Sequence, residues 1–174
     1  AHALFRLLAR RGDKAGAARF AIRAQRAYDA DAAGAADLLL DLARFWTDVG
    51  ELARAGAALR RMVPALVAME PAGQLAALAL AARAQATPGH AQSGAAAWRA
   101  AWVLLRNAEL PDTVRYAAAM DLAHAARTSG DLGAFSWAKA AVLRLAPQAE
   151  YPDVAERMEK LWPHGAAPAM ERAS

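Results

Sequence analysis

The chain has 174 residues, of which 57% are hydrophobic and 22% charged, a balance typical of a globular domain rather than a disordered segment. It contains no cysteine, which excludes disulfides, thiolate catalysis and thiolate metal sites, and its formal net charge is +4. No run of about 18 apolar residues occurs, so the sequence predicts no membrane insertion. Alanine, the best helix former, is the commonest residue, and the composition therefore predicts an all-α fold.

Glycine-containing turns divide the chain into predicted helix pairs. A glycine at the end of a helix adopts the left-handed conformation that stops it, and an acidic residue just after the glycine favours the start of the next helix. Four glycine turns occur, at Gly12-Asp13, Gly50-Glu51, Pro88-Gly89 and Gly130-Asp131, and an acidic residue follows the glycine in three of them. In chain order the predicted pairs are 2–11 with 14–28, 35–49 with 51–62, 72–86 with 92–107, and 112–128 with 132–146.

The segments between and after the pairs have their own signals. Breaks are expected at Asp29 to Gly34, at Pro64 to Gly73, at Leu110-Pro111-Asp112 and at Ala146-Pro147. Where a proline is present, it cannot continue a helix but is tolerated in the first turn of the next one. The third turn, from Thr87 to Ser93, is expected to be enlarged. A last helix is predicted over 153–162, so that residues 1–162 form a helical repeat domain and 163–174 a flexible tail. Since the chain opens inside a predicted helix, we expect it to be a piece of a longer protein.

The pairs share a residue pattern at equivalent positions. The second pair shows it most fully, with a large and then a small apolar residue, an aromatic residue one turn later, a glycine-acid turn and a small residue early in the second helix: Leu42, Ala43, Trp46, Gly50 and Ala55. This pattern resembles the tetratricopeptide repeat over roughly residues 1–147, although the spacing between turns exceeds that family's usual period of about 34 residues. The resemblance implies an α-solenoid of about four helix-turn-helix repeats with a C-terminal capping helix. A compact helical bundle is the alternative fold.

The resemblance also implies a binding groove lined by the first helix of each pair. Six residues before each turn glycine stand Arg6, Arg44, Arg83 and His124. The guanidinium fork of arginine suits carboxylates, so we expect the groove to bind a peptide or helix with acidic groups. The alternative is that Asp41–Arg44 and Asp121–His124 are i,i+3 pairs on solvated helix faces. The predicted groove residues are Arg6, Arg10, Asp41, Arg44, Asp48, Arg83, Asp121, His124 and Arg127.

These features predict a protein-interaction scaffold, the interaction module of a bacterial regulator or assembly factor. Its expected location is the cytoplasm, with the periplasm left open. The alternative function is nucleic-acid association through the basic first repeat, where Arg19, Arg23 and Arg26 form a stripe on one helix. A helical enzyme using Asp41 and Asp48 is the third hypothesis, although nothing in the sequence positions an acid–base pair.

The remaining candidate residues favour packing over chemistry. The four histidines, His2, His90, His124 and His164, lack the spacing of metal ligands, and no glycine-rich phosphate loop or nucleophile elbow occurs. We therefore predict no enzyme activity, no cofactor and no metal site. The tryptophan side chains are predicted to serve packing rather than to form a ligand platform, with the last sealing the end of the array: Trp98, Trp102, Trp137 and Trp162.

Overall fold

The computed structural model describes residues 2–28, 35–90, 92–107, 109–146 and 153–161. Regular structure within these ranges is helical, which confirms the predicted all-α class for this part of the chain. None of the described helices combines the length and apolar character needed to cross a bilayer. The helices are α1 (His2–Arg10), α2 (Lys14–Tyr28), α3 (Ala35–Asp48), α4 (Leu52–Leu66), α5 (Pro71–Gln85), α6 (Ala95–Leu105), α7 (Asp112–Ser129), α8 (Leu132–Leu145) and α9 (Val154–Leu161).

The chain divides into two compact units, Ala1–Ala77 and Leu78–Ser174. In the first unit α1 packs against α2 and α3 against α4, and both α1 and α2 contact α3. Its core contains the fully buried side chains of Phe5, Leu38, Leu42 and Met62.

The second unit is built around the antiparallel pair of α7 and α8. Helix α6 contacts α7, and α9 contacts α8. Leu105, Leu122, Val142 and Met158 are fully buried within this unit. An ion pair between Lys139 of α8 and Glu159 of α9 adds to the apolar contact between these two helices.

All four predicted turn glycines have positive φ angles, of +76°, +84°, +73° and +79° in chain order. In three of the turns the amide of the residue after the glycine donates to the carbonyl five residues earlier, a bond that satisfies the last turn of the helix. Glu51 donates to Trp46 at 2.8 Å and Asp131 to Ala126 at 3.0 Å. The carboxylates of Asp13 and Asp131 then accept from the amides three residues later and cap α2 and α8.

The third turn and the end of α4 differ from the predicted boundaries. Helix α6 begins at Ala95 rather than at 92, because Ser93 closes the enlarged turn: its Oγ accepts from the Thr87 amide at 2.6 Å and donates to the His90 carbonyl at 2.8 Å. Helix α4 continues to Leu66 rather than ending at 62. Pro64 lies in its last turn, so the missing amide hydrogen removes only one helical bond close to the helix end.

Several predicted features lie outside the described residues. These are the break at Asp29 to Gly34, the helix end at Pro147, the terminal packing of Trp162 and the tail 163–174.

Candidate functional site

Two predicted groove residues, Arg6 and Asp41, form an ion pair within the first unit. The Nε atom of Arg6 on α1 donates to Oδ2 of Asp41 on α3, and Nε2 of His2 lies 2.8 Å from the same oxygen. The alternative interpretation, an i,i+3 pair between Asp41 and Arg44, is not found among the described residues, because the Asp41 carboxylate pairs with residues of α1 instead. The charge of Arg6 is largely compensated before any ligand arrives.

An equivalent ion pair lies within the second unit. An Nη atom of Arg83 on α5 donates to Oδ1 of Asp121 on α7 at 2.8 Å. Asp121 is only 5% exposed, so this pair is more buried than Arg6–Asp41. In both cases the residue six before one turn glycine meets the residue nine before the next. The sequence analysis did not predict these pairs, because it paired Asp41 and Asp121 only with residues of their own helices. The partners lie 35 and 38 residues apart in the chain.

The remaining groove residues of the first unit meet at one cleft of about 510 Å³, named here the N-terminal cleft. It lies between α1 with its following turn and α3. Spacings of three and four residues place the lining side chains on one face of each helix. The lining residues are Phe5, Arg6, Ala9, Arg10, Gly12, Lys14, Asp41, Arg44, Phe45, Asp48 and Val49. All five predicted groove residues of the first two repeats are among them.

Three basic side chains without a described partner lie at the N-terminal cleft. Within the described residues, no hydrogen bond or ion pair engages the exposed side chains of Arg10, Lys14 and Arg44. They lie beside an apolar floor, where Phe5 and Phe45 pack edge to face with ring centroids 5.4 Å apart. The cleft can therefore hold an anionic group next to an apolar one.

The predicted groove residues of the second unit do not share a described cleft. Arg83 and Asp121 bond to each other, His124 is half-buried on α7, and Arg127 is exposed near the C-terminus of the same helix. A single groove through all four repeats stays a prediction.

A cluster of indole rings in the second unit was not expected as a surface feature. Trp98 is buried, as predicted, and its Nε1 donates to the Leu122 carbonyl at 3.2 Å. Trp102 stacks on Trp98 with centroids 5.2 Å apart, and Trp137 lies 6.1 Å from Trp102. Trp137 packs against both rings, yet 58% of the residue is exposed. Trp137 belongs to α8, and only the alignment of α8 beside α6 brings it to the other two rings.

Two clefts adjoin the indole cluster, and Trp137 lines both. The first, of about 260 Å³, includes Ser93, Arg99 and Asp131 in its wall. The second, of about 510 Å³, is lined by Trp102, Arg106, Trp137, Ala140, Ala141 and Arg144.

No protein-family model, curated protein or solved structure matches this chain. In the part of the chain that the structure describes, no three histidine or acidic side chains are grouped so that they could hold a metal ion.

Proposed function

We propose that the protein is an interaction module that binds an acidic peptide or helix of a partner protein in the N-terminal cleft. The observation that carries this proposal is the presence of Arg10, Lys14 and Arg44, without described partners, beside the apolar floor formed by Phe5 and Phe45. Guanidinium groups bind carboxylates through two parallel hydrogen bonds. The two phenylalanines are themselves buried, and the half-buried Ala9 and Val49 beside them offer the contact for an apolar side chain. An amphipathic segment with acidic residues next to leucine or phenylalanine supplies both kinds of group.

The same proposal takes the helix pairs as divergent tetratricopeptide-like repeats of an α-solenoid. Two observations support it. The four turn glycines have the same left-handed conformation, and the Arg6–Asp41 and Arg83–Asp121 pairs join equivalent positions of consecutive helix pairs. Repeats of this kind serve as binding scaffolds, which fits the interaction module of a bacterial regulator or assembly factor.

Direct binding of a designed peptide tests the function. The probe is a fluorescein-labelled helical peptide with leucine and phenylalanine on one face and glutamate elsewhere, and the same peptide with lysine in place of glutamate is the charge control. We expect Arg10→Ala and Arg44→Ala each to raise the Kd for the glutamate peptide roughly tenfold or more, because each removes a charge-assisted hydrogen bond. Fluorescence anisotropy measures the Kd.

Arg60→Ala is the matched control, because Arg60 is an exposed arginine of the same unit that does not line the cleft. It should leave the Kd unchanged. Equal affinity for the glutamate and lysine peptides, or equal affinity of the Arg44→Ala and wild-type proteins, would contradict the proposal.

Duplex DNA binding through α2 is the second candidate. Arg19 and Arg23 are exposed one turn apart on this helix, and the guanidinium of Arg23 lies 5.3 Å from the centroid of the Phe20 ring. The side chain of Arg26 lies outside the described set. Binding that weakens steeply with salt, and that Arg19→Ala with Arg23→Ala abolishes, would favour this function. Absence of duplex binding at low salt would remove it.

A further inference from the structure

The surface between α6 and α8 carries an exposed indole surrounded by arginines, and the N-terminal cleft has no part in it. Trp137 is more than half exposed, although Trp98 and Trp102 hold its ring from one side. We propose that this surface, named here the indole groove, binds single-stranded nucleic acid, with a base stacked on Trp137 and phosphates held by the flanking arginines.

The position of Trp137 favours an extended ligand. Its side chain lines both clefts of the indole groove, with Arg99 in the wall of the first and Arg106 and Arg144 in the wall of the second. A ligand that crosses the indole can therefore place anionic groups on both sides of it. A nucleic-acid strand has this alternation of flat ring and anion along its length, because each base is joined to the next through a phosphate.

The charges of the indole groove match a polyanion. Among the described residues, no ion pair or hydrogen bond engages the side chains of Arg99, Arg106 and Arg144. Asp131 is the one acidic residue in the wall of the first cleft, and its carboxylate already accepts a hydrogen bond from the Ala134 amide at 2.9 Å. The wall of the second cleft contains two arginines and no carboxylate, so the phosphates are expected to bind most firmly there.

The indole cluster also provides the surface that a base requires. Trp98 and Trp102 are nearly parallel, with 15° between their planes, and Trp137 is inclined to Trp102 by 24°. The buried hydrogen bond from Trp98 to the Leu122 carbonyl fixes the inner end of the indole cluster. A stacked base would cover apolar indole area that is exposed to water in the free protein, and stacking accepts any base sequence.

Binding of decathymidylate to the full chain tests the proposal. Quenching of indole fluorescence and anisotropy of a labelled strand give the Kd at several salt concentrations. Trp137→Ala should raise the Kd about tenfold or more, and Trp137→Phe should recover part of the loss, because phenylalanine retains a ring for stacking. A plot of the logarithm of the association constant against the logarithm of the salt concentration has a negative slope. Arg144→Ala should make this slope shallower by about 0.7, the contribution of one phosphate contact.

Three controls separate the indole groove from the other basic surfaces. Arg60→Ala, Arg44→Ala and the double variant of Arg19 and Arg23 should leave decathymidylate binding unchanged. A loss of binding in the double variant would move nucleic-acid binding to α2 and overturn the proposal. Circular dichroism should show that Trp137→Ala retains its helices, and the double variant Arg106→Ala with Arg144→Ala provides a second test that leaves every indole in place.

Three further outcomes would overturn the proposal. The first is no binding of decathymidylate at about 50 mM salt, where phosphate contacts are weakened less than at physiological salt. The second is binding of thymidine monophosphate as tight as that of the strand, which would make a free nucleotide the ligand. The third is Trp137-dependent binding of a glutamate-rich peptide with one phenylalanine when the strand does not bind.

Discussion

Two ion pairs of identical chemistry and equivalent position differ in burial, and this difference decides what each contributes to stability. The side chain of Asp41 is 30% exposed, whereas that of Asp121 is 7% exposed. A solvated pair gains little, because water screens the attraction and the side chains lose entropy. Removing one partner of a buried pair is costlier, because the remaining charge loses a strong bond where little water is present to replace it.

We therefore expect Asp121→Ala to lower the free energy of unfolding by about 3 kcal/mol. This value is at the lower end for a broken buried pair, because the Arg83 side chain is 24% exposed. Asp41→Ala should cost about 1 kcal/mol or less. Urea unfolding followed by circular dichroism measures both. Glu156→Ala, which removes an exposed i,i+4 pair with Lys160, is the control and should cost under about 0.5 kcal/mol. Equal losses for the Asp41 and Asp121 variants would refute this ranking.

Gly94 combines a left-handed backbone with a close approach. Its φ is +72°, and an added Cβ would lie 2.7 Å from the Ala82 carbonyl oxygen. At Gly50 the φ is +84°, but nothing lies within 4 Å of the added atom. Gly50→Ala should therefore cost about 1–2 kcal/mol from backbone conformation alone.

Gly94→Ala should cost at least about 1 kcal/mol more than Gly50→Ala, because backbone must also move. Thermal and urea unfolding of the two variants give the difference. A loss for Gly94→Ala that is no larger than that for Gly50→Ala would show that the start of α6 adjusts without strain.

At the scale of elements, helix α2 packs through alanines. Ala17, Ala21 and Ala24 are completely buried on the side that meets its neighbours. Such small side chains allow close helix approach and leave no room for a larger one.

Ala21→Leu should thus destabilise the protein by about 1–3 kcal/mol through overpacking, although leucine is nearly as good a helix former as alanine. Ala15→Leu on the exposed face of the same helix is the matched control and should change stability by less than about 0.5 kcal/mol. A neutral or stabilising Ala21→Leu, read from the urea midpoint, would indicate an unfilled space beside α2.

The helices themselves were largely predictable, because turn glycines and prolines act locally. Asp13 and Asp131 cap the helices that follow them, as the glycine-acid turns indicate. The boundaries at Pro64 and Ser93 were missed, since one depends on how late in the helix the proline falls and the other on a side chain folding back over its turn. Local sequence signals therefore predict that a helix exists more reliably than they predict the residue at which it ends.

The candidate site was predictable only in part. Spacing within α1 and α3 places Arg10 and Arg44 at one cleft, and the structure has both there. The partner of Arg6 and the exposure of Trp137 depend on contacts between residues about 35 positions apart, which are fixed by the packing of whole helices. The spacing of residues along one helix does not show how that helix packs against another.

At the scale of the whole molecule, each compact unit contains its own Arg–Asp pair, and the bond of each pair forms within that unit. The losses from Asp41→Ala and Asp121→Ala should therefore add within about 0.5 kcal/mol in the double variant. Urea unfolding of the wild type, both single variants and the double variant completes the cycle. A coupling well above that value would show that the two pairs act as one network.

Helix α9 has only eight residues, fewer than a peptide needs to be helical in water by itself. Its order therefore depends on the burial of Met158 and on the link from Glu159 to Lys139. Amide protons of α9 should exchange with deuterium faster than those of α7, because separation from α8 is enough to melt the shorter helix while the longer one keeps its contacts. Local unfolding, and with it cleavage by a protease, should therefore begin at α9 before it reaches α7.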